Sequence, residues 1–483
     1  MKRRQFLKKA VAVPTGTICF RALTECSTSR GAAKSQKKHK PNLVFVFADQ
    51  WRAQATGYAC DPNAITPNLD RLARESVNFT TSISCCPVCS PYRASLMTGQ
   101  YPLTHGVFLN DVQLNSRAVS IAQAYNAADY DTGYIGKWHL DGHGRSSFLP
   151  LERRQGFKFW NGLECSHDYV HSYYYADEPV KHMWDGYDAI AQTHRAQQYI
   201  AEHTTGRPFA LFLSWGPPHD PYDMAPQEYK NLFVDNKNIK LRPNVPHEFH
   251  EKARHDLSGY YTHIAVLDKC VGDLLQTLRS HDLERNTIFV FTSDHGDMLY
   301  SQGKQKKQLP WDEAIRVPFL LRYPAVLGVE EKCISMPFNS PDIMPTLLGL
   351  SGIDIPKTVE GTDFSGVITG RQRPSDNAAL FACYSPFGEW SRSQGGKEYR
   401  GIRTEQYTYV RDMQGPWLLY DNKTDPYQQS NLCNKPQYAS LQKTTDNILR
   451  QKLHQTKDKF QSGWDYINNW NHAVDETGNV PYF

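Results

Sequence analysis

Short, mainly apolar runs recur along this chain at residues 43–48, 134–138, 209–215, 287–292 and 319–323, separated by segments with helical spacing. Runs of this length, apolar at successive rather than alternate positions, read as strands buried on both faces. Between them, Thr66 and Pro67 read as the cap and first position of a helix that places Leu69, Leu72, Ala73 and Val77 on one side. A longer helix is predicted over about 253–283, with Tyr260, Ile264, Leu267, Val271, Leu274 and Leu278 at helical spacing. Strand and helix in alternation imply an α/β fold, a large mixed, mostly parallel sheet sandwiched by helices. After Pro356 the texture changes. Gly361, Gly366 and Gly370 punctuate a linker, and residues 399–411 and 417–420 read as short antiparallel strands, so a smaller C-terminal α+β domain is expected over 366–483.

Composition narrows the class. With 40% hydrophobic and 22% charged positions, the 483-residue chain can bury a large core, which excludes coiled-coil, collagen-like and wholly disordered readings. The formal charge of +4 is unevenly placed: residues 1–30 hold seven Lys and Arg against Glu25 alone, a local +6, leaving the rest near −2. A body so close to neutral argues against nucleic acid as a partner, because phosphate-driven binding needs a concentrated basic face. No apolar run after residue 30 reaches the ~18 residues that span a bilayer.

The opening MKRRQFLKKAVAVPTGTICF has paired Arg3 and Arg4, then Phe6 and Leu7, then a weakly apolar stretch. That pattern resembles a twin-arginine export signal over residues 1–30 and predicts a periplasmic protein. Cys26 stands where a lipoprotein box would lie, but Glu25 replaces the small residue required before it, which argues against a lipid anchor. Nine of the eleven cysteines lie beyond the leader. In an exported protein an odd number leaves at least one thiol free, modified or catalytic.

Ligands of such sheets bind beyond the carboxyl ends of the strands. Asp49 and Gln50 directly follow one run, and Asp294 and His295 directly follow another. Two carboxylates, an amide oxygen and an imidazole suit one divalent cation, and the oxygen-rich donor set favours a hard one, calcium or magnesium. A carboxylate after a strand also commonly caps the next helix, so this pair gains weight only from a further segment.

That segment is Cys89-x-Pro91-x-Arg93, followed by Ala94, Ser95, Leu96 and Thr98-Gly99. It resembles the signature of the type I sulfatases of the alkaline phosphatase superfamily. Other landmarks of that family follow in order over nearly the whole mature chain: Ala48-Asp49-Gln50, Thr66-Pro67-Asn68-Leu69-Asp70, Gly136-Lys137-Trp138-His139, Pro217-Pro218-His219, Ser293-Asp294-His295-Gly296-Asp297 and Arg316-Val317-Pro318. The resemblance implies a catalytic domain over 31–365 and oxidation of Cys89 to formylglycine by a formylglycine-generating or radical maturation enzyme.

By the same resemblance, Asp49, Gln50, Asp294 and His295 would ligate calcium together with the modified Cys89. Arg93 would orient the hydrated aldehyde, with Lys137 and His139 beside it and His139 as the base. His219 and Lys307 would contact the sulfate and the bridging oxygen. Lys307 is chosen by its place four residues before Trp311, with Lys304 and Lys306 as near competitors. Gln50 stands where many members have a second aspartate, which leaves the site less negative and keeps magnesium as the alternative metal.

The expected substrate is a sulfated sugar, cleaved by an exo-acting glycan O-sulfatase. Asn110 and Asp111 are predicted to bind sugar hydroxyls. His171 and Trp184, in an aromatic-rich stretch over 168–187, are predicted to contact the ring. Alternatives are an arylsulfatase, a phosphonate monoester or phosphodiester hydrolase, and a catalytically silent sulfoglycan-binding protein.

Overall fold

The computed structural model describes residues 40–115, 117–233, 236–371 and 377–482. The twin-arginine-like leader and Cys26 lie outside them.

The five apolar runs all fall on one eight-stranded sheet. Its strands are β1 (Asn42–Asp49), β2 (Val77–Phe79), β3 (Asp131–Lys137), β4 (Phe159–Leu163), β5 (Phe209–Pro218), β6 (Thr287–Ser293), β7 (Phe319–Arg322) and β8 (Lys332–Ile334). They lie side by side in the order β8-β2-β7-β6-β1-β5-β3-β4. From β6 to β4 every neighbour is parallel, whereas β7 runs antiparallel to both β6 and β2. The sheet is therefore mixed and mostly parallel.

Successive side chains of β1 explain why its run is apolar throughout. Leu43, Phe45 and Phe47 enter one core, Val44, Val46 and Ala48 the other, and all six are fully buried. A strand covered on both faces has no solvent side to mark with polar residues. Helices α1 (Pro67–Arg74), α3 (Asp188–Glu202) and α4 (His250–Ser280) cover the Val44 face, while α2 (Cys89–Thr98) and α5 (Ser340–Ser351) cover the Phe45 face.

Thr66 is the N-cap of α1 with Pro67 in its first turn, as expected, although its hydroxyl makes no bond to the helix backbone. It accepts from the Gly57 N–H and donates to Asp70 instead. Val77 does not continue the face of α1, because the helix ends at Arg74 and Val77 opens β2. The longer helix is α4, shifted three residues toward the N-terminus of the predicted span.

The C-terminal region forms an antiparallel meander, β9 (Ala378–Cys383), β10 (Tyr399–Thr404), β11 (Tyr407–Asp412) and β12 (Gly415–Asp421). One face packs on Leu449 of helix α6 (Ala439–Gln455). The other face carries Phe381, Tyr399 and Val410 against Met298, Trp311 and Ile315 of the main body. The meander is thereby buried on both sides, and the loop after β9 is held beside the ends of the large sheet. All nine described cysteines are free thiols.

Candidate active site

Four strands adjacent in the sheet, β6, β1, β5 and β3, end at one place. Asp294 follows β6, Asp49 closes β1, His219 follows β5 and Lys137 closes β3. Strands far apart in sequence thus deliver their terminal side chains to a single crevice, as open α/β sheets do at their carboxyl edge.

Helix α2 points its first residue, Cys89, into that crevice. Every residue of α2 is buried, including Ser90, Arg93, Ser95 and Thr98. Polar groups on a helix without a solvent face need partners, and most of them here have one, the Tyr92 hydroxyl and Arg93 Nε being the exceptions. The Ser90 hydroxyl donates to the His139 carbonyl (2.7 Å), and its N–H donates to Asn110 Oδ1 (3.0 Å). Arg93, one turn on, donates to the Lys137 carbonyl (2.7 Å), Ser214 Oγ (2.8 Å), Asp294 Oδ2 (3.0 Å) and Asp49 Oδ2 (3.3 Å).

Cys89 Sγ lies 3.3 Å from His295 Nε2, 3.4 Å from Lys307 Nζ, 3.7 Å from Asp49 Oδ1 and 3.9 Å from Lys137 Nζ. Ligand atoms of Asp49, Cys89, Asp294 and His295 all fall within 4.8 Å of one another, and all four residues are buried. Buried carboxylates this close repel each other unless cations intervene. Burial works against a charge on Asp49, but Lys137, 2.6 Å away, leads the cations that hold it well below the usual carboxylate range. Burial raises Asp294, and repulsion from Asp49 adds to it. A divalent cation between them would relieve that conflict, so the donor set fits one.

The backbone bends sharply to build this crevice. Gln50 and His139 both take left-handed conformations, at φ 69° and 59°. Such conformations cost non-glycine residues on the order of 1–3 kcal/mol and concentrate at functional sites. Hydrogen bonds from the Gln50 N–H to Asp294 (3.1 Å) and from Tyr260 to the Gln50 carbonyl (3.0 Å) hold the first of these bends. Gly136, at φ 100°, allows the turn into Lys137; a Cβ there would stand 2.0 Å from the Ser214 carbonyl oxygen.

Lys307 is the one of its three neighbouring lysines that reaches Cys89. Lys306 turns to Asp220 (3.2 Å), and Lys304 lies over the Trp390 ring (5.1 Å). The Lys307 ammonium donates to His219 Nε2 (2.7 Å) and Gln50 Oε1 (3.1 Å), and among the described residues no carboxylate is a hydrogen-bond partner. A buried ammonium without a paired carboxylate is a ready site for an anion. Burial and the nearby ammonium keep His219 neutral. Burial also opposes a proton on His139, but Cys165 and Asp111 outweigh it and lift its pKa to about 10.

The predicted sugar contacts are distributed differently. Asn110 caps the backbone of Ser90, and Asp111 accepts from Arg145 through both oxygens (2.8 Å each) and pairs with His139 (3.1 Å). His171 is largely exposed and pairs with Asp168 in its own loop, while Trp184 is buried against Tyr174. Cys165 and His167, which sequence reasoning missed, stand in the crevice wall. The His167 ring stacks on His219 at 4.3 Å, nearly parallel, with Cys165 Sγ 3.9 Å from its Nε2. Both follow β4, so the strand-end rule would have found them had residues 159–163 been read as a strand.

Residues 41–353 match the family model described as Sulfatase, and residues 302–459 match that of the N-sulphoglucosamine sulphohydrolase C-terminal region. The chain belongs to the sulfatase family. It is 42% identical over 489 aligned residues to the ulvan-active sulfatase of Formosa agariphila, covering 100% of this chain and 95% of the relative. The endo-4-O-sulfatase of Bacteroides thetaiotaomicron is 29% identical over 86% of this chain and 92% of its own. Among solved structures, one described as the sulfatase yidJ of Bacteroides fragilis superposes with a TM-score of 0.79 at 30% identity, over 90% of this chain and 100% of that one. This sulfatase is therefore an enzyme of the expected family and fold, and family membership implies both a formylglycine and a divalent metal.

Proposed function

We propose that this sulfatase hydrolyses an O-sulfate ester on a saccharide derived from a sulfated polymer, acting after export to the periplasm and cleaving at a chain end. The observation that carries the reading is the buried cluster in which Cys89 faces Asp49, Asp294 and His295 on one side and Lys137 and Lys307 on the other. The named glycan activities of the Formosa and Bacteroides relatives support a sugar as the leaving group.

Asp49, Asp294, His295, Gln50 and the modified Cys89 would hold the metal, calcium or else magnesium, which when bound lowers the proton affinity of a nucleophilic hydroxyl and polarises sulfate oxygens. A formylglycine hydrate at Cys89 would supply two hydroxyls on one carbon, one suited to act as the nucleophile toward sulfur and one whose deprotonation would let sulfate leave. Arg93 fixes both carboxylates and adds positive charge. Lys137 and Lys307 neutralise sulfate oxygens, and neutralisation is required because a sulfate ester screens its sulfur with negative charge. Lys307 and His219 share a proton at 2.7 Å, which places a donor where the alcohol departs. His139 is held by Asp111 through Nε2 and has a buried Nδ1 with no hydrogen-bond partner among the described residues. Because Cys165 and Asp111 keep it protonated, it serves as the base of the second step only after giving up that proton.

The test is to produce the protein with a maturation enzyme and measure both modification and turnover. Conversion of thiol to aldehyde lowers the mass of the Cys89 peptide by roughly 18 Da. The matured enzyme is expected to release sulfate from ulvan oligosaccharides faster than from 4-nitrophenyl sulfate or a phenyl phosphonate ester. Turnover of an aryl or phosphonate ester alone would overturn the saccharide reading. An unmodified Cys89 together with tight sulfoglycan binding would identify a silent binding protein.

A further inference from the structure

The segment after β4 closes on His219, and the steps above give it no role. The His219 imidazole is hydrogen-bonded at both ring nitrogens: Nδ1 stands 2.7 Å from the Asp220 carbonyl, and Nε2 stands 2.7 Å from Lys307 Nζ. A carbonyl only accepts, so Nδ1 carries the proton and Nε2 is left to accept from the ammonium. Contacts at the ring nitrogens lie in the plane of the ring. They fix where the nitrogens point but leave the ring free to tilt about the line that joins them.

A contact on the ring face opposes that tilt. The half-buried His167 supplies one, its ring stacked on that of His219 with centroids 4.3 Å apart and planes 9° from parallel. His167 is itself packed by Cys165, whose Sγ lies 3.9 Å from its Nε2. Two residues on, the buried Tyr169 hydroxyl donates to the carbonyls of His219 (2.9 Å) and Asp220 (3.2 Å), the second being the acceptor of His219 Nδ1. Residues 165–169 therefore grip His219 through its ring and through its backbone.

We propose that His167 is a positioning residue whose ring holds His219 and Lys307 in the geometry from which a proton reaches the departing alcohol. This rests on the donor role given to that pair above and deepens it. As the nucleophile's bond to sulfur forms, the ester S–O bond breaks with its electrons left on the saccharide oxygen, and Lys307 with His219 supplies that oxygen with one proton. The need for that proton grows with the basicity of the leaving oxygen, so a displaced His219 slows the departure of a sugar alkoxide far more than that of 4-nitrophenolate.

The experiment compares wild type, His167→Ala and His167→Phe, the last of which keeps an aromatic face. It reads the ratio of kcat on ulvan oligosaccharides to kcat on 4-nitrophenyl sulfate, which is independent of the fraction of Cys89 that has been matured, together with the crystal structure of His167→Ala. The ratio is expected to fall about 10- to 100-fold in His167→Ala, the cost of a misplaced catalytic group, and to return to within about 3-fold of wild type in His167→Phe. The structure is expected to show the His219 ring turned away from Lys307. An unchanged ratio in His167→Ala overturns the inference, as do equal losses on both substrates, which mark a general support of the fold. A rise in saccharide KM that His167→Phe does not repair also overturns it, by marking His167 as a substrate contact. A matured wild type that hydrolyses only the aryl ester overturns the saccharide reading alone; a His219 ring still at its wild-type distance from Lys307 in His167→Ala then overturns this inference, and a displaced ring supports it.

Discussion

Cys89 shows how much a single residue can reveal before its surroundings are known. Its neighbours Pro91 and Arg93 mark it in the sequence, yet only the fold surrounds it with two lysines, two carboxylates and an imidazole. Burial and Asp49 push the thiol up, but Lys137, Lys307 and His295 bring it well below the ordinary thiol range. Cys85 lies four residues earlier and is driven by burial up to about 11, with a serine hydroxyl rather than a lysine beside it. The contrast separates a reactive position from a packed one. Replacing Cys89 with Ala should lower kcat by roughly 10⁴-fold or more while leaving the melting temperature nearly unchanged, since the side chain is small and its role is chemical. Residual turnover within tenfold of wild type would remove it from the nucleophile's place. Lys307 shows the limit of reading residues singly, because three lysines in four positions are equivalent until the backbone turns one inward.

Elements were legible where their pattern had one cause and illegible where two causes competed. β1 reads directly as a strand because both faces are core. β4 was missed because Asn161 and Gly162 interrupt its apolar character at the sheet edge. Val77 was assigned to α1 because a one-turn continuation and a new strand place an apolar residue equally well at that spacing. Helix α3 carries a testable consequence of burial at its first turn. Asp188 is buried there with Oδ1 unpartnered, and burial lifts its pKa to about 8 despite the favourable helix terminus. Its folded-state pKa lies above the unfolded value, so its contribution to stability is complete below about pH 4 and is lost as the pH rises through about 8. Asp188→Asn should therefore stabilise the protein at pH 9 by on the order of 2 kcal/mol and give no advantage near pH 4, as read from melting temperatures across that range.

At the scale of the whole molecule, the C-terminal meander depends on a buried ion pair as well as on apolar packing. Arg400 is fully buried, is paired with Asp458, and lies over the rings of Tyr384 (4.2 Å) and Phe460 (4.7 Å). Asp458 also accepts from Tyr466 (2.6 Å), which ties the end of the chain to the meander. Arg400→Met should destabilise the protein by about 3–5 kcal/mol, because it leaves the carboxylate buried without its counter-charge. A chemical-denaturation midpoint unchanged from wild type would show that the pair contributes nothing net. Five of the eight strands of the large sheet, the long helix, the strand-end carboxylates and the cysteine motif could be read from residue order, because each depends on local spacing and on which residue types tolerate burial. The sheet order β6-β1-β5-β3 could not, since pairing between segments up to about 240 residues apart depends on which faces pack best in three dimensions. That order brings Asp294, Asp49, His219 and Lys137 to one edge, and the folding-back of the meander ties the turn at residues 388–390 to the segment that carries Lys307.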